Sequence, residues 1–199
     1  MYSFVIPCYN SSESIRHVVE LTMEEMEKMN RREFEFVLVN DYSSSPKTMP
    51  VLKKLAEEYP CVTVLNLAKN AGQHNAIMAG LNYAKGDILI GMDDDMQTHP
   101  SQLPYLFEEL EKGYDIVYGY YPEKKHSAFR NFGSWVNYIS VRILIGKPKE
   151  LKTSSYWVAR KFVRDSVIEY QAPYAYIQGL FLRTTRNISC IPIQHFQRE

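Results

Sequence analysis

Cysteine is scarce in this chain. Its 199 residues include three, Cys8, Cys61 and Cys190, far apart and with no Cys-x-x-Cys pair. That argues against a disulfide framework and a cysteine-built zinc site, and fits a reducing compartment. Long apolar runs are missing as well: no stretch reaches the roughly 18 residues a membrane span needs. The N-terminus enters Tyr-Ser-Phe-Val-Ile-Pro directly, without the basic and apolar segments of a signal peptide. Neither the GxGxxG of dinucleotide folds nor the GxxxxGK(S/T) of P-loops occurs, so any phosphate must be held another way. There is no excess of either charge, with 23 basic and 23 acidic side chains, and a nucleic-acid partner is not expected.

Other features are abundant. Hydrophobic residues make up 45% and charged residues 23%, the balance of a globular domain large enough to bury its own core. The even charge also hides a split. Residues 1–123 carry 10 basic and 19 acidic side chains, whereas residues 124–165 carry 10 basic and 2 acidic. The acidic residues decorate helix faces; the basic segment is a candidate to face phosphates or an anionic membrane surface.

Apolar periodicity predicts alternating strands and helices over the first 120 residues. Strands are expected at 2–6, 34–39, 62–67, 87–92 and 114–120. Helices are expected at 12–29, from 45 to about 59, at 73–84 and at 100–112. Asn10 and Glu13 have the spacing of a capping box, and Ser45 with Pro46 reads as a helix start. Beyond residue 120 the expected elements are a helix at 126–146, a strand at 155–159, a helix from about 161, a helix at 174–185 and a strand at 188–193. Strand–helix alternation with short connections implies an α/β domain with a mostly parallel central sheet and helices on both faces. Ligands of such sheets bind at the carboxyl ends of the strands. One domain over 1–199 is expected, with a nucleotide-binding half (1–120) and an acceptor-binding half (121–199).

The residues just after each strand therefore matter most. Asp93, Asp94 and Asp95 follow the fourth predicted strand, and three adjacent carboxylates repel unless a cation is near. In an extended segment Asp93, Asp95 and Gln97 point the same way and offer hard oxygen ligands to Mg²⁺ or Mn²⁺. Asp41 follows the second strand and can accept from a base imide or a ribose. Lys69, Asn70 and Gly72 precede a helix start, where a cation and backbone amides suit a diphosphate. His74 reads as a capping or packing residue or a ligand, and His99, beside the acidic cluster, as a structural residue ahead of a metal ligand. Tyr118, Tyr120, Tyr121 and Trp157 are either core or stacking surfaces.

In this order the motifs resemble family 2 glycosyltransferases with the GT-A fold: VIPCYN, LVNDYSS, KNAGQHNAIMAGLNYAKGD, DDDMQTHP and GYDIVYG. GQHNAIMAG followed by DDDMQ, and HFQRE at the end, are most similar to the polyprenyl-phosphate glycosyltransferase branch. That resemblance implies an inverting transfer from a UDP- or GDP-sugar, UDP being the preferred reading, to a polyprenyl phosphate or a saccharide. It implies that Pro7, Tyr9 and Asp41 hold the nucleoside, that Asp93, Asp95 and Gln97 hold the metal and diphosphate, and that His195 and Arg198 contact phosphate. It also implies action at the cytoplasmic face of the membrane, and a chain that continues into membrane helices.

Three segments depart from the family pattern. Ser11 stands where an acidic residue is common, Asn40 and Tyr42 replace Asp and Gly, and Leu151–Trp157 lacks the usual acid and arginine. A lipid phosphate is already ionised and needs cations rather than a base; Lys147, Lys149, Lys152, Arg160 and Lys161 are available. A hydroxyl acceptor would need a general base, for which Asp94 or Glu150 is the candidate. The competing readings are a non-catalytic nucleotide-sugar-binding module, a nucleotidyltransferase and a DxD-type phosphatase. The phosphatase motif belongs after the first strand, and nucleotidyltransferases open on a Gly-rich basic loop.

Overall fold

The computed structural model describes residues 1–122 and 148–194. The helix expected at 126–146, Lys147, and the site candidates His195 and Arg198 lie outside the described residues, as does much of the basic segment.

Strands β1 (Tyr2–Cys8), β2 (Phe34–Asn40), β3 (Val62–Asn66), β4 (Ile88–Gly91) and β5 (Ile116–Tyr120) alternate with helices α1 (Ile15–Lys28), α2 (Thr48–Glu58), α3 (Gln73–Tyr83) and α4 (Leu103–Glu111). After them come β6 (Trp157–Arg160), α5 (Lys161–Ile168), α6 (Ile177–Thr184) and β7 (Ile188–Pro192). Among the described residues the sheet has seven strands in the order β3-β2-β1-β4-β6-β5-β7, all parallel except β6, which runs against both of its neighbours.

Strand β1 shows why both faces must be covered. Phe4, Ile6 and Cys8 enter the cluster beneath α1, α2 and α4, whereas Val5 enters the one beneath α3, α5 and α6. A strand apolar at successive positions has no face to give to water. Helix α3 approaches so closely that a Cβ on Gly80 would stand 2.4 Å from Val5 Cγ1. Gly91 of β4 likewise leaves room for the indole of Trp157 on β6. Trp157 and Tyr118 are buried and pack with Phe181 of α6, so both are core and neither is a stacking surface.

Expected helix starts shift inward. Helix α1 begins at Ile15 with Ser14 as its cap position, and the Asn10–Glu13 box does not form. Asn10 instead has φ 60°, and its side chain ties down the loop after β2: Nδ2 donates to Ser44 Oγ at 3.0 Å and Oδ1 accepts from Ser45 N at 2.9 Å. Helix α2 begins at Thr48 rather than at Ser45. The helix expected over 100–112 opens with a 3-10 turn at Pro100–Gln102.

The reversed β6 also corrects the cation assignment. Its last residue, Arg160, pairs with Ile88 at the start of β4, on the amino edge of the sheet. There the guanidinium donates to the carbonyls of Tyr114 and Leu110, both at 2.9 Å, closing the end of α4. Arg160 and the adjoining Lys161 are therefore structural in position and face away from the carboxyl edge.

Candidate active site

The carboxyl ends of β1, β2 and β4 and the start of α3 enclose a cleft of about 450 Å³, lined by Pro7, Cys8, Tyr9, Asp41, Asn70, Gly72, Gln73, Asp93, Asp94 and Asp95. Each loop around it contains a left-handed residue: Asn10 (φ 60°), Tyr42 (φ 53°), Gly72 (φ 83°) and Met96 (φ 63°). Three of these are not glycine, and each such turn costs roughly 1–2 kcal/mol. Three of the four non-glycine left-handed turns among the described residues therefore lie at this edge, where function commonly stores strain; the fourth, Asn30 (φ 56°), follows α1 at the other edge.

Asp41 is buried and organises one wall. Its carboxylate accepts from the backbone N–H groups of Ala71 at 2.7 Å and Gly72 at 2.9 Å, and its carbonyl accepts from Asn70 Nδ2 at 3.1 Å. The loop before α3 is therefore held by the end of β2. Tyr9 is half exposed above the cleft, and its N–H donates to Asp94 at 3.2 Å. Of the residues expected at this wall, Pro7, Tyr9, Asp41, Asn70 and Gly72 are together. Lys69 is exposed on the same loop and does not line the cleft.

The opposite wall is acidic. Asp93 accepts from Gln73 Nε2 at 2.8 Å and from the hydroxyl of Ser155. Burial pushes its carboxyl up to about 6, and repulsion from Asp95 and Asp94 adds to the rise even though both hydrogen bonds oppose it. Burial likewise raises Asp94 above the ordinary carboxylate range. Asp95 accepts from the N–H of Gln97 at 3.1 Å.

Gln97 itself is elsewhere. Its inclusion as a ligand supposes an extended chain, but Met96 turns left-handed and buries its side chain, so alternation is lost. The Gln97 carbonyl accepts from Tyr121 Oη at 2.6 Å, and the residue does not line the cleft. Among the described residues no three His, Cys, Asp or Glu side chains converge as a ready-made metal cage. The donor chemistry still fits a hard divalent cation, which is commonly bound by one or two carboxylates together with substrate phosphates. A carboxyl raised by neighbouring negative charge is what such a cation would relieve.

Lys152 sits outside the cleft with its ammonium 4.4 Å from the ring centre of Tyr120. His74 packs edge-on against Tyr176, 5.3 Å between ring centres, and burial lowers its pKa, as suits a packing residue. Sequence reasoning missed Ser155, Gln73 and Thr98. Thr98 Oγ1 accepts from the N–H of Asp93 at 3.0 Å and closes the acidic turn. Gln73 lay inside a motif already singled out; Ser155 opened the strand expected at 155–159, whose reversed direction, which brings it to Asp93, periodicity does not show.

The family model for glycosyl transferase family 2 matches residues 3–170. The chain belongs to glycosyl transferase family 2. Among curated relatives of this family 2 chain, the undecaprenyl-phosphate 4-deoxy-4-formamido-L-arabinose transferase of Edwardsiella ictaluri is 32% identical over 99% of the chain and 60% of that protein. The enzyme of the same name from Pseudomonas fluorescens is 32% identical over 99% of the chain and 58% of its own length. The chain thus spans about 60% of the length of these relatives. Among solved structures, the glucosyl-3-phosphoglycerate synthase of Mycobacterium tuberculosis, in complex with Mn²⁺, UDP and phosphoglyceric acid, aligns with a TM-score of 0.65 and 16% identity. That alignment covers 100% of this chain and 72% of the synthase. The fold is GT-A. No helix among the described residues is long and apolar enough to cross a membrane.

Proposed function

We propose that this domain is the catalytic part of an inverting glycosyltransferase that moves a sugar from a nucleoside diphosphate, UDP rather than GDP, to a polyprenyl phosphate at the cytoplasmic membrane face. One observation carries the reading: a single cleft has an aromatic and amide-rich wall suited to a nucleoside facing a wall of three carboxylates suited to a metal and diphosphate. The names of the relatives at about 30% identity support the acceptor class.

Tyr9 stacks on the base, with Pro7 behind it and Asp41 beside the ribose. Asp93 and Asp95 hold Mg²⁺ or Mn²⁺. Bound there, the metal supplies neutralisation of the charge that grows on the departing diphosphate. An oxygen of the acceptor phosphate attacks the anomeric carbon as the bond to the diphosphate breaks, and the bonding pair leaves with the nucleoside diphosphate. A single in-line displacement inverts the anomeric centre. The acceptor is already ionised, so no residue need take its proton. A saccharide acceptor is the second reading; its hydroxyl proton would need a general base, and Asp94, whose carboxyl is raised by burial, lines the cleft as that candidate.

Labelled UDP- and GDP-sugars, Mn²⁺ and farnesyl phosphate, incubated with the protein, test this. Lipid-linked sugar is expected from one nucleotide class, and none from Asp93→Ala. A protein that binds the nucleotide sugar but neither transfers nor hydrolyses it would be a binding module instead.

A further inference from the structure

A second cavity lies on the acceptor side of the molecule. It is a groove of about 250 Å³ beside β7, at the sheet edge opposite β3. Leu151, Leu182, Ile188 and Cys190 give it an apolar lining, and the exposed Glu150 and Arg186 also border it. Leu151 and Leu182 belong to the buried cluster beneath α3, α5 and α6, so the groove opens directly off the core.

Its carboxyl-edge end leads toward the donor cleft. The N–H of Lys152 reaches Cys190 Sγ at 3.4 Å, and the Lys152 ammonium lies over Tyr120, the last residue of β5. Three residues on, the Ser155 hydroxyl donates to Asp93. Three residues of chain span at most about 11 Å. An exposed ammonium resting on a tyrosine ring is readily recruited by a phosphate, which offers it charge-assisted hydrogen bonds.

We infer that this groove seats the first isoprene units of the acceptor, with Lys152 holding the acceptor's phosphate at the end nearest Asp93. The inference rests on the polyprenyl-phosphate reading above and adds where that ligand lies. The ligand is an apolar chain with one anionic end; the groove has an apolar stripe of Leu151, Leu182, Ile188 and Cys190, and Lys152, adjoining it at Cys190, carries a cation over Tyr120. A saccharide acceptor has no use for such a lining.

The cysteines provide the test. Cys190 lines the groove, Cys61 lies between α2 and β3 toward the opposite edge of the sheet, and Cys8 is buried. Alkylation of the 199-residue protein by N-ethylmaleimide, followed peptide by peptide in a mass spectrometer, compares the first two. Farnesyl phosphate at ten times its dissociation constant is expected to slow Cys190 about tenfold and leave Cys61 unchanged. Inorganic phosphate is expected to protect neither cysteine. Lys152→Glu is expected to lose the protection given by farnesyl phosphate while keeping that given by farnesol. An unchanged Cys190 rate overturns the inference, including the case in which Cys190 is slow without ligand because another part of the chain covers it. Equal slowing of Cys61 overturns it too, as non-specific lipid adsorption. Nucleotide titration of the same sample separates the readings: nucleotide binding without protection sinks the groove alone, and protection without nucleotide binding sinks the donor site.

Discussion

The two edges of the sheet handle charge in opposite ways. At the amino edge charges are answered. The N-terminal ammonium pairs with Asp87 at 3.1 Å and holds that carboxyl below its usual range, Arg160 closes α4, and Glu35 accepts from Ser3 Oγ at 2.7 Å and from the N–H of Lys85 at 2.6 Å. At the carboxyl edge Asp93 and Asp94 are raised, and three non-glycine residues sit left-handed against one, Asn30, at the amino edge. The contrast teaches that stability is gathered at one edge and given up at the other, where a ligand can return it.

Three substitutions sharpen or break that comparison. The largest effect is expected from Asp93→Asn in protein stripped of metal with EDTA. The folded carboxyl, at about 6, lies above its ordinary value of 3.8, so the native state binds this proton more tightly than the unfolded chain. Ionising Asp93 therefore destabilises the fold above about pH 6 by about 3 kcal/mol, a penalty relieved as pH falls from about 6 to about 4. Denaturant unfolding should show Asp93→Asn more stable than wild type near pH 8, with the gain gone below about pH 4. Equal stability at pH 8 would mean that the carboxyl edge carries no such penalty. Next, Arg160→Ala should cost about 2 kcal/mol through two lost hydrogen bonds from a charged donor, with nucleotide affinity unchanged. A large loss of affinity would break the division between the edges. The smallest effect is expected from Gly72→Ala. No atom within 4 Å obstructs a Cβ there, so the roughly 1 kcal/mol cost comes from φ 83° alone. Unfolding measurements check its size, and nucleotide titration checks whether the amides that Asp41 holds have moved.

What the sequence made legible follows from what periodicity encodes. Strands β1, β2 and β4 were readable because consecutive apolar residues bounded by polar turns suit strands buried on both faces. Their carboxyl ends, with the loop between β3 and α3, then placed Tyr9, Asp41, Asn70, Gly72 and Asp93–Asp95 in one cleft without any knowledge of contacts. Strand direction is not written in periodicity, so the reversal of β6 was invisible. That reversal moved Arg160 to the amino edge and brought Ser155 onto Asp93. Backbone handedness was equally hidden. A left-handed Asn10 clamps a neighbouring loop instead of capping α1, and a left-handed Met96 turns Gln97 out of the cleft. In both cases a local rule that assumes ordinary φ gave way to a turn that the surrounding loops impose.

The most direct test of the central claim is calorimetric titration of UDP and of GDP, each with and without Mn²⁺, into the wild-type protein and into Asp95→Ala. The account predicts metal-dependent binding of one nucleotide, UDP, that is lost in Asp95→Ala. Binding of neither nucleotide in the presence of Mn²⁺, or binding of equal strength in Asp95→Ala, would contradict it.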